Sequence, residues 1–379
     1  MWFSVVIPSY NSRDGLESLL RSLDRQRVDP DTSFEVVVVD DGSTDGTADL
    51  VHRLDLSLDL RYVFKPRTPS SGRAAARNTG IGAATGDVVI FVDADQVVPP
   101  RFVAEHAAYH RRSSALAVVG PRGNVGTVAC DLAMQDPPAE TVHVGDVDSR
   151  ESAFAVLGHN LDSIAAGWHF FFTCNASAGR AHLLAIGGFD ERFNGWGLED
   201  TDLAYRLRKR GLKFAYNPAA VSFHLQKQPW TQEMYAEWRA NLVYFTGKHR
   251  SPDAAAQWML DRSYSFDPDV KDLSWLESFL RFEYAARAME GRYQGAESPE
   301  LIEVTAGNRD EVLATVAERA QQSPLLVLDH FADRELAAVV QTMPASRRTL
   351  YFARPAGDRA RILRTYPPSG VSGAGRWAA

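Results

Sequence analysis

Two acidic pairs stand out in this 379-residue chain: Asp93-Ala94-Asp95 and, far downstream, Glu199-Asp200. The first closes an apolar run, Val88-Val89-Ile90-Phe91-Val92, whose make-up is that of a buried strand. Its carboxylates therefore fall at the C-terminal end of a strand, where open α/β sheets bind ligands. Paired carboxylates there suit a hard divalent cation that also bridges phosphate oxygens. The second pair follows Gly195-Trp196-Gly197-Leu198 and opens a helical segment, Thr201-Asp202-Leu203-Ala204-Tyr205-Arg206-Leu207. A carboxylate base at that point, facing a phosphate-held cation, is equipped to move a group onto a hydroxyl. Taken singly, Asp-x-Asp also describes a solvated turn, and Glu-Asp before a helix also describes a cap suited to the helix dipole. The order of the pieces and the elements around them select the chemical reading.

Those elements alternate. Phe3 to Pro8 reads as a strand, and Asp14 to Arg27 carries Leu16, Leu19, Leu20 and Leu23 at helical spacing, with Ser12 or Asp14 as cap. Phe34 to Val39 is a β-branched run of the kind buried on both faces. A turn, Asp40 to Gly46, leads into a helix from Thr47 to Leu54, and a short strand follows at Arg61 to Phe64. Gly72 to Ala84 reads as a small-residue helix ahead of the strand that ends at Asp93. This β-α-β-α-β order predicts an α/β fold with a mostly parallel sheet covered by helices. Residues 120–165, rich in Gly, Pro and Asp, read as an irregular active-site excursion. Strands are expected at Phe170 to Cys174, Lys213 to Tyr216 and Ala220 to His224.

Composition sets the outer limits. The chain is 45% hydrophobic and 23% charged, enough apolar residue for a substantial core. A net charge of −7 argues against nucleic acid or an anionic membrane as the main partner. No apolar run reaches the roughly 18 residues of a membrane-spanning helix. The N-terminus enters a strand at once, without a basic leader, so the expected location is the cytoplasm. Cys130 and Cys174 have no metal-ligand spacing and read as small buried apolar residues.

Several further segments, in order, carry a resemblance. They are Val5-Val6-Ile7-Pro8-Ser9-Tyr10-Asn11, Val37-Val38-Val39-Asp40-Asp41-Gly42-Ser43, Gly72-Arg73-Ala74-Ala75-Ala76-Arg77-Asn78, Asn175-Ala176-Ser177-Ala178, and Gly187-Gly188-Phe189-Asp190 running into Trp196-Gly197-Leu198-Glu199-Asp200. Together with Asp93-Ala94-Asp95 they resemble the GT-A fold glycosyltransferases of the inverting, family 2-like branch. The last segments are similar to bacterial chondroitin polymerases and animal galactosyltransferases. The likeness spans residues 3–225 and stops before the last third of the chain.

The resemblance implies a UDP-sugar donor, with Pro8, Tyr10 and Asp41 at the base and ribose and Asp93, beside Ala94, near the ribose. Arg73 and Arg77 would steady the diphosphate or hold Asp95. Asp95 and His224 would ligate the metal, and that mixed carboxylate and imidazole set suits Mn2+ or Mg2+. Asp200 is the implied general base and Glu199 a hydrogen-bond partner for acceptor or sugar. Trp196 is either a platform for a sugar ring or a core aromatic. Retaining relatives with a similar Trp-Gly-x-Glu segment carry a non-basic residue after the Glu, so Asp200 implies inversion. Gln96, where many relatives have another acid, reads as neutral for metal binding.

The acceptor stays open between a natural product, a peptide and a glycan. The alternatives to transfer are a nucleotidyltransferase, which would want a Gly-rich basic loop where Pro8-Ser9-Tyr10-Asn11 stands, and a non-catalytic nucleotide-sugar-binding protein. The expected domains are a catalytic domain over 1–228 (donor half 1–100, acceptor half 101–228), a helical region over 229–298, a small α/β appendage over 299–366 and a disordered tail over 367–379. Met234, Trp238, Leu242 and Phe245 form an apolar stripe at helical spacing, with Tyr235 beside it. That stripe packs on the catalytic domain or, with the 301–353 unit, builds an acceptor pocket or homodimer contact.

Overall fold

The computed structural model describes residues 1–124, 148–225, 229–290, 298–355 and 357–369. Cys130, much of the Gly/Pro/Asp-rich stretch and the chain beyond residue 369 lie outside the described residues. The chain divides into two compact units. The first comprises Met1–Asp148, Trp168–Lys213 and Asn217–His249, the second Ser149–Gly167, Phe214–Tyr216 and Arg250–Ala379.

In the first unit the expected α/β sheet is present. Its strands are β1 (Trp2–Ser9), β2 (Ser33–Asp40), β3 (Leu60–Phe64) and β4 (Val88–Val92), all mutually parallel in the order β3-β2-β1-β4. The branched side chains of Val36, Val37, Val38 and Val39 are fully buried, as a strand covered on both faces requires. The helix Arg13–Asp24 turns Leu16, Leu19, Leu20 and Leu23 onto the sheet with no exposure. Two further short strands, β5 (Gln96–Val97) and β6 (Leu116–Val119), are followed by β7 (Arg122–Asn124), β8 (Asn175–Gly179) and β10 (Ser222–His224); β9 (Lys213–Tyr216) lies, from Phe214 on, in the second unit. β8 runs antiparallel to β4 and to β6, and β10 sits between β5 and β7 in a small second sheet.

Two local expectations change. Phe170 to Cys174 is not a strand: Gly167–Phe170 is a 3-10 turn and the strand is Asn175–Gly179, whose small residues are buried between β4 and β6. Burial between neighbours, rather than intrinsic β preference, makes that segment extended. Ser149–Leu157, within the stretch expected to be irregular, is a helix of the second unit.

The second unit holds β11 (Glu300–Val304), β12 (Leu325–Asp329) and β13 (Thr349–Ala353), parallel and in that order, around a core that includes Val304, Val316, Val327 and Val340. Its earlier chain segments are bound to its later ones. Asn160 Nδ2 donates to the carbonyls of Ser346 and Thr349 at 2.8 and 2.7 Å. The Gln341 amide makes a reciprocal pair with the backbone of Tyr216, at 2.7 and 2.8 Å.

Candidate active site

Strand register assembles the acidic cluster. In the antiparallel pair β4·β8, Val92 lies opposite Asn175, so Asp93 and Cys174 are the next positions outward from one rung. In β5·β10, His224 lies opposite Gln96, and the Leu225 N–H donates to the Asp95 carbonyl at 2.9 Å. The result places His224 Nε2 3.8 Å from Asp93 Oδ2 and 4.0 Å from Asp95 Oδ1. One donor atom each from Asp93, Cys174 and His224 falls within 4.8 Å of the others. The first helix reaches this turn through Gly15, where a Cβ would come 2.9 Å from Asp95 Cα. No larger residue fits there without moving the turn.

Cys174 is therefore more than a small apolar filler: its Sγ borders the cluster and also receives Arg122 Nη1 at 3.8 Å. Gln96 is tied into the same cluster. Its Oε1 accepts the Asp93 N–H at 2.9 Å, its Nε2 donates to Ser222 Oγ at 3.0 Å, and the same nitrogen lies 3.3 Å from His224 Nδ1. The amide thus orients two members of the cluster at once.

The second acidic pair arrives on the helix Glu199–Lys209. Leu198, its N-cap, has φ +71 although it is not glycine, a strained conformation that buried packing must enforce. The preceding loop is pinned by the helix Gln232–His249. Glu237 Oε2 accepts the Trp196 N–H at 2.8 Å, and Asn241 Nδ2 donates to the carbonyls of Asn194 and Gly197 at 2.9 and 2.8 Å. Gly195, at φ +71, leaves the space that the Glu237 carboxylate occupies. Trp238, Leu242 and Phe245 of the expected stripe are buried; Trp238 meets Gly197 and Phe245 stacks on Trp168, so within this unit the stripe is a packing surface. Trp196 is half-buried with its ring edge-on to Trp230 at 4.8 Å.

Arg77 joins the two acidic motifs. Nη2 donates to Asp93 Oδ1 at 3.0 Å and Nη1 to Glu199 Oε1 at 3.1 Å, from a side chain that is 3% exposed. It grips Asp93 and Glu199, where the sequence pointed to Asp95 or a diphosphate. Burial works against its charge, but Asp93 and Glu199 more than offset this and hold its pKa above the ordinary value. Burial likewise opposes ionisation of Asp93, yet the neighbouring His224 and Arg77 keep its carboxyl well below the usual range. Asp95 is shifted the other way, upward, chiefly by burial, with the charge of Asp93 adding to it against the pull of His224.

Asp200 accepts from the Thr201 N–H at 2.8 Å and the Thr173 N–H at 3.4 Å. Burial first, and the neighbouring charge of Glu199 second, push its carboxyl up to about 7. A carboxylate with that pKa is matched to accepting a proton near neutrality. Because Thr173 precedes Cys174, the Asp200 carboxylate and the Asp93/Cys174/His224 cluster meet the chain at adjacent residues.

The residues expected at the base and ribose also converge. Asp41 accepts from Lys65 Nζ and Arg67 Nη1, each at 3.0 Å, its N–H donates to the Ser9 carbonyl next to Pro8, and Arg67 lies over the Tyr10 ring at 3.7 Å. A cleft of about 300 Å3 is walled by Ser70, Ser71, Arg73, Glu191, Asn194 and Glu199. Arg73 is near enough for its charge to act on both Asp93 and Asp95.

Residues 4–132 match the model of Glycosyl transferase family 2, and residues 161–227 match that of the N-terminal domain of galactosyltransferase. The chain carries a glycosyltransferase family 2 domain continued by a galactosyltransferase-type segment. Validoxylamine A glucosyltransferase of Streptomyces hygroscopicus subsp. limoneus is 34% identical over 260 residues, 65% of this chain and 57% of that protein. The pre-mycofactocin glycosyltransferase of Mycobacterium tuberculosis is 33% identical over 67% of this chain and 49% of its own length. The chain thus spans less than two thirds of these relatives. Among solved structures, Staphylococcus aureus TarS 1–349 in complex with UDP-GlcNAc aligns at 18% identity with a TM-score of 0.49, over 92% of this chain and 90% of that one. No helix among the described residues is long and apolar enough to cross a membrane.

Proposed function

We propose that this chain is an inverting, cation-dependent glycosyltransferase that moves a sugar from a UDP-sugar to an acceptor hydroxyl. The carrying observation is that the Asp93/Asp95/His224 cluster and the Asp200 carboxylate meet the chain at the adjacent residues Cys174 and Thr173. The donor set fits a divalent cation such as Mn2+ or Mg2+: the His224 imidazole lies within 4.0 Å of a carboxylate oxygen of both Asp93 and Asp95, and burial opposes the charge of Asp95. Asp95 and His224 would hold that cation with Asp93 beside them, and when bound it supplies positive charge to a departing nucleoside diphosphate.

The remaining work falls to the chain's own side chains. Pro8, Tyr10 and Asp41 frame the base and ribose, and Arg73 faces the diphosphate. Asp200 takes the proton of the acceptor hydroxyl as its oxygen forms a bond to the sugar's anomeric carbon. The bond from that carbon to the phosphate oxygen breaks on the opposite face, so configuration inverts. Glu199, fixed by Arg77 through Oε1, offers its other oxygen to a hydroxyl of acceptor or sugar. Trp196 presents an apolar face to the ring.

Among acceptors, a natural product is favoured over a glycan polymer. The two relatives named for validoxylamine A and pre-mycofactocin align at 34% and 33% identity, whereas the chondroitin and hyaluronan synthases align at 26–28%. The test is incubation of the full chain with a panel of nucleotide sugars and hydroxylated acceptors, with and without Mn2+. Release of UDP, and a product whose anomeric coupling is opposite to the donor's, support the reading. A retained anomeric configuration, or turnover indifferent to divalent cation, overturns it.

A further inference from the structure

A thiol stands at the edge of the acidic cluster, and neither the family match nor the transfer chemistry requires one there. Cys174 is 6% exposed, and its Sγ lies within 4.8 Å of donor atoms of both Asp93 and His224. Its position follows from the β4·β8 register, which sets Cys174 and Asp93 one step beyond the Val92–Asn175 rung. Arg122 Nη1, 3.8 Å from the sulfur, adds a positive neighbour that steadies it. Zinc-type ions bind sulfur at about 2.3 Å and nitrogen or oxygen at about 2.0–2.2 Å. Donors so close together need only small side-chain adjustments to share one such ion.

We propose that Cys174 adds a sulfur donor to the cation site, so that the protein binds thiophilic divalent ions of the Zn2+, Co2+ and Cd2+ class through Asp93, His224 and Cys174. This rests on the reading of the Asp–His cluster as a cation site. Carboxylate and imidazole donors alone serve Mn2+ and Mg2+, whereas a thiolate shifts preference toward softer ions. On binding, the sulfur–metal bond replaces the sulfur–hydrogen bond and the proton passes to water. The same site would then take Mn2+ for transfer chemistry and be captured by softer ions.

The experiment titrates the full chain with Co2+ and records its absorption, in wild type, Cys174→Ser, Cys174→Ala and Asp95→Ala. Wild type is expected to show visible d–d bands together with the near-ultraviolet thiolate-to-cobalt charge-transfer band. Both Cys174 variants should keep the d–d bands and lose the charge-transfer band. Calorimetry should show Cd2+ affinity falling about 10-fold or more in Cys174→Ser, with Mn2+ affinity little changed. Cobalt d–d bands that depend on Asp95, without a charge-transfer band in wild type, overturn the sulfur donor and leave the Asp–His site standing. A charge-transfer band that persists in Cys174→Ser overturns it in favour of Cys130. Absence of any Co2+ binding by wild type overturns both this proposal and the cation reading beneath it.

Discussion

Arg77 Nη1 and Glu199 Oε1 meet at 3.1 Å although their residues stand 122 positions apart in the chain. Both side chains are nearly enclosed, and the other arm of the same guanidinium holds Asp93. One cation therefore sets the spacing between the motif at the end of β4 and the motif that opens the helix Glu199–Lys209. Breaking a buried pair from one side leaves an uncompensated charge and costs about 3–5 kcal/mol. Arg77→Met should lose stability on that scale, measured by urea denaturation, and a loss below about 1 kcal/mol would place the pair among exposed surface bridges.

Asp95→Ala should abolish transfer and sharply weaken nucleotide binding in the presence of Mn2+, because the cation Asp95 would hold would no longer be available to the diphosphate. Calorimetry with UDP, with and without Mn2+, provides the check. Equal binding in all four combinations of protein and metal would remove Asp95 from the cation site.

Asp200→Asn should fold, bind donor and turn over about 10²–10⁴-fold more slowly, since an amide accepts no proton. The wild-type rate should fall below pH about 7, where the Asp200 carboxyl becomes protonated. The stability sign is opposite. A carboxyl whose folded pKa is raised favours folding at low pH, and that contribution is lost as pH rises through about 7. Asp200→Asn should therefore melt higher than wild type at pH 8 and lose the difference toward pH 4; a constant offset across that range would contradict the raised pKa.

Tyr10→Ala should weaken UDP binding by about 1–3 kcal/mol, the scale of base–aromatic stacking. Arg67 occupies one face of the ring, so the base competes with that guanidinium or takes the opposite face. Direct titration of UDP separates this from a catalytic effect: KM should rise while kcat holds. An unchanged affinity would move the base away from Tyr10.

Acid should unfold the first unit by way of its buried imidazoles. His106 accepts or donates at Ser177 and Asn175, His110 shares Ser177, and burial lowers their pKa values to about 4 and about 3. Unfolded histidine titrates near 6.5, so the unfolded chain binds more protons throughout that interval. The stability they contribute is complete above pH about 6.5 and is lost progressively as pH falls toward about 4. His110→Gln should flatten the fall of Tm between those limits; an unchanged slope would assign it to carboxylates.

Much of this fold could be read from periodicity. β4 ends where the run Val88 to Val92 ends, and β9 matches the expected Lys213 to Tyr216 residue for residue. Asn175–Gly179 escaped because its small, partly polar residues have little β preference, and burial between β4 and β6 is what extends them. The site divides similarly. Asp93, Asp95, Asp200 and His224 stood in motifs, whereas Gln96, Cys174, Glu237 and Asn241 act through strand register and loop pinning. Gln96 was adjacent to a motif, which was its one local signal. Arg77 was visible as a charge on a helix of small residues, but its two partners depend on tertiary distance.

The second unit gathers Ser149–Gly167 and Phe214–Tyr216 from well upstream of its main body. A premature stop near residue 300 would remove Gln341, Ser346 and Thr349, leaving Tyr216 and Asn160 without the backbone and amide partners they have in the intact protein. Such a lesion would amount to an interior defect, with orphaned polar groups and bared apolar surface handed to the cell's proteases. For anyone designing a minimal version of this protein, the usable cut is a set of coordinated deletions rather than a shortened end.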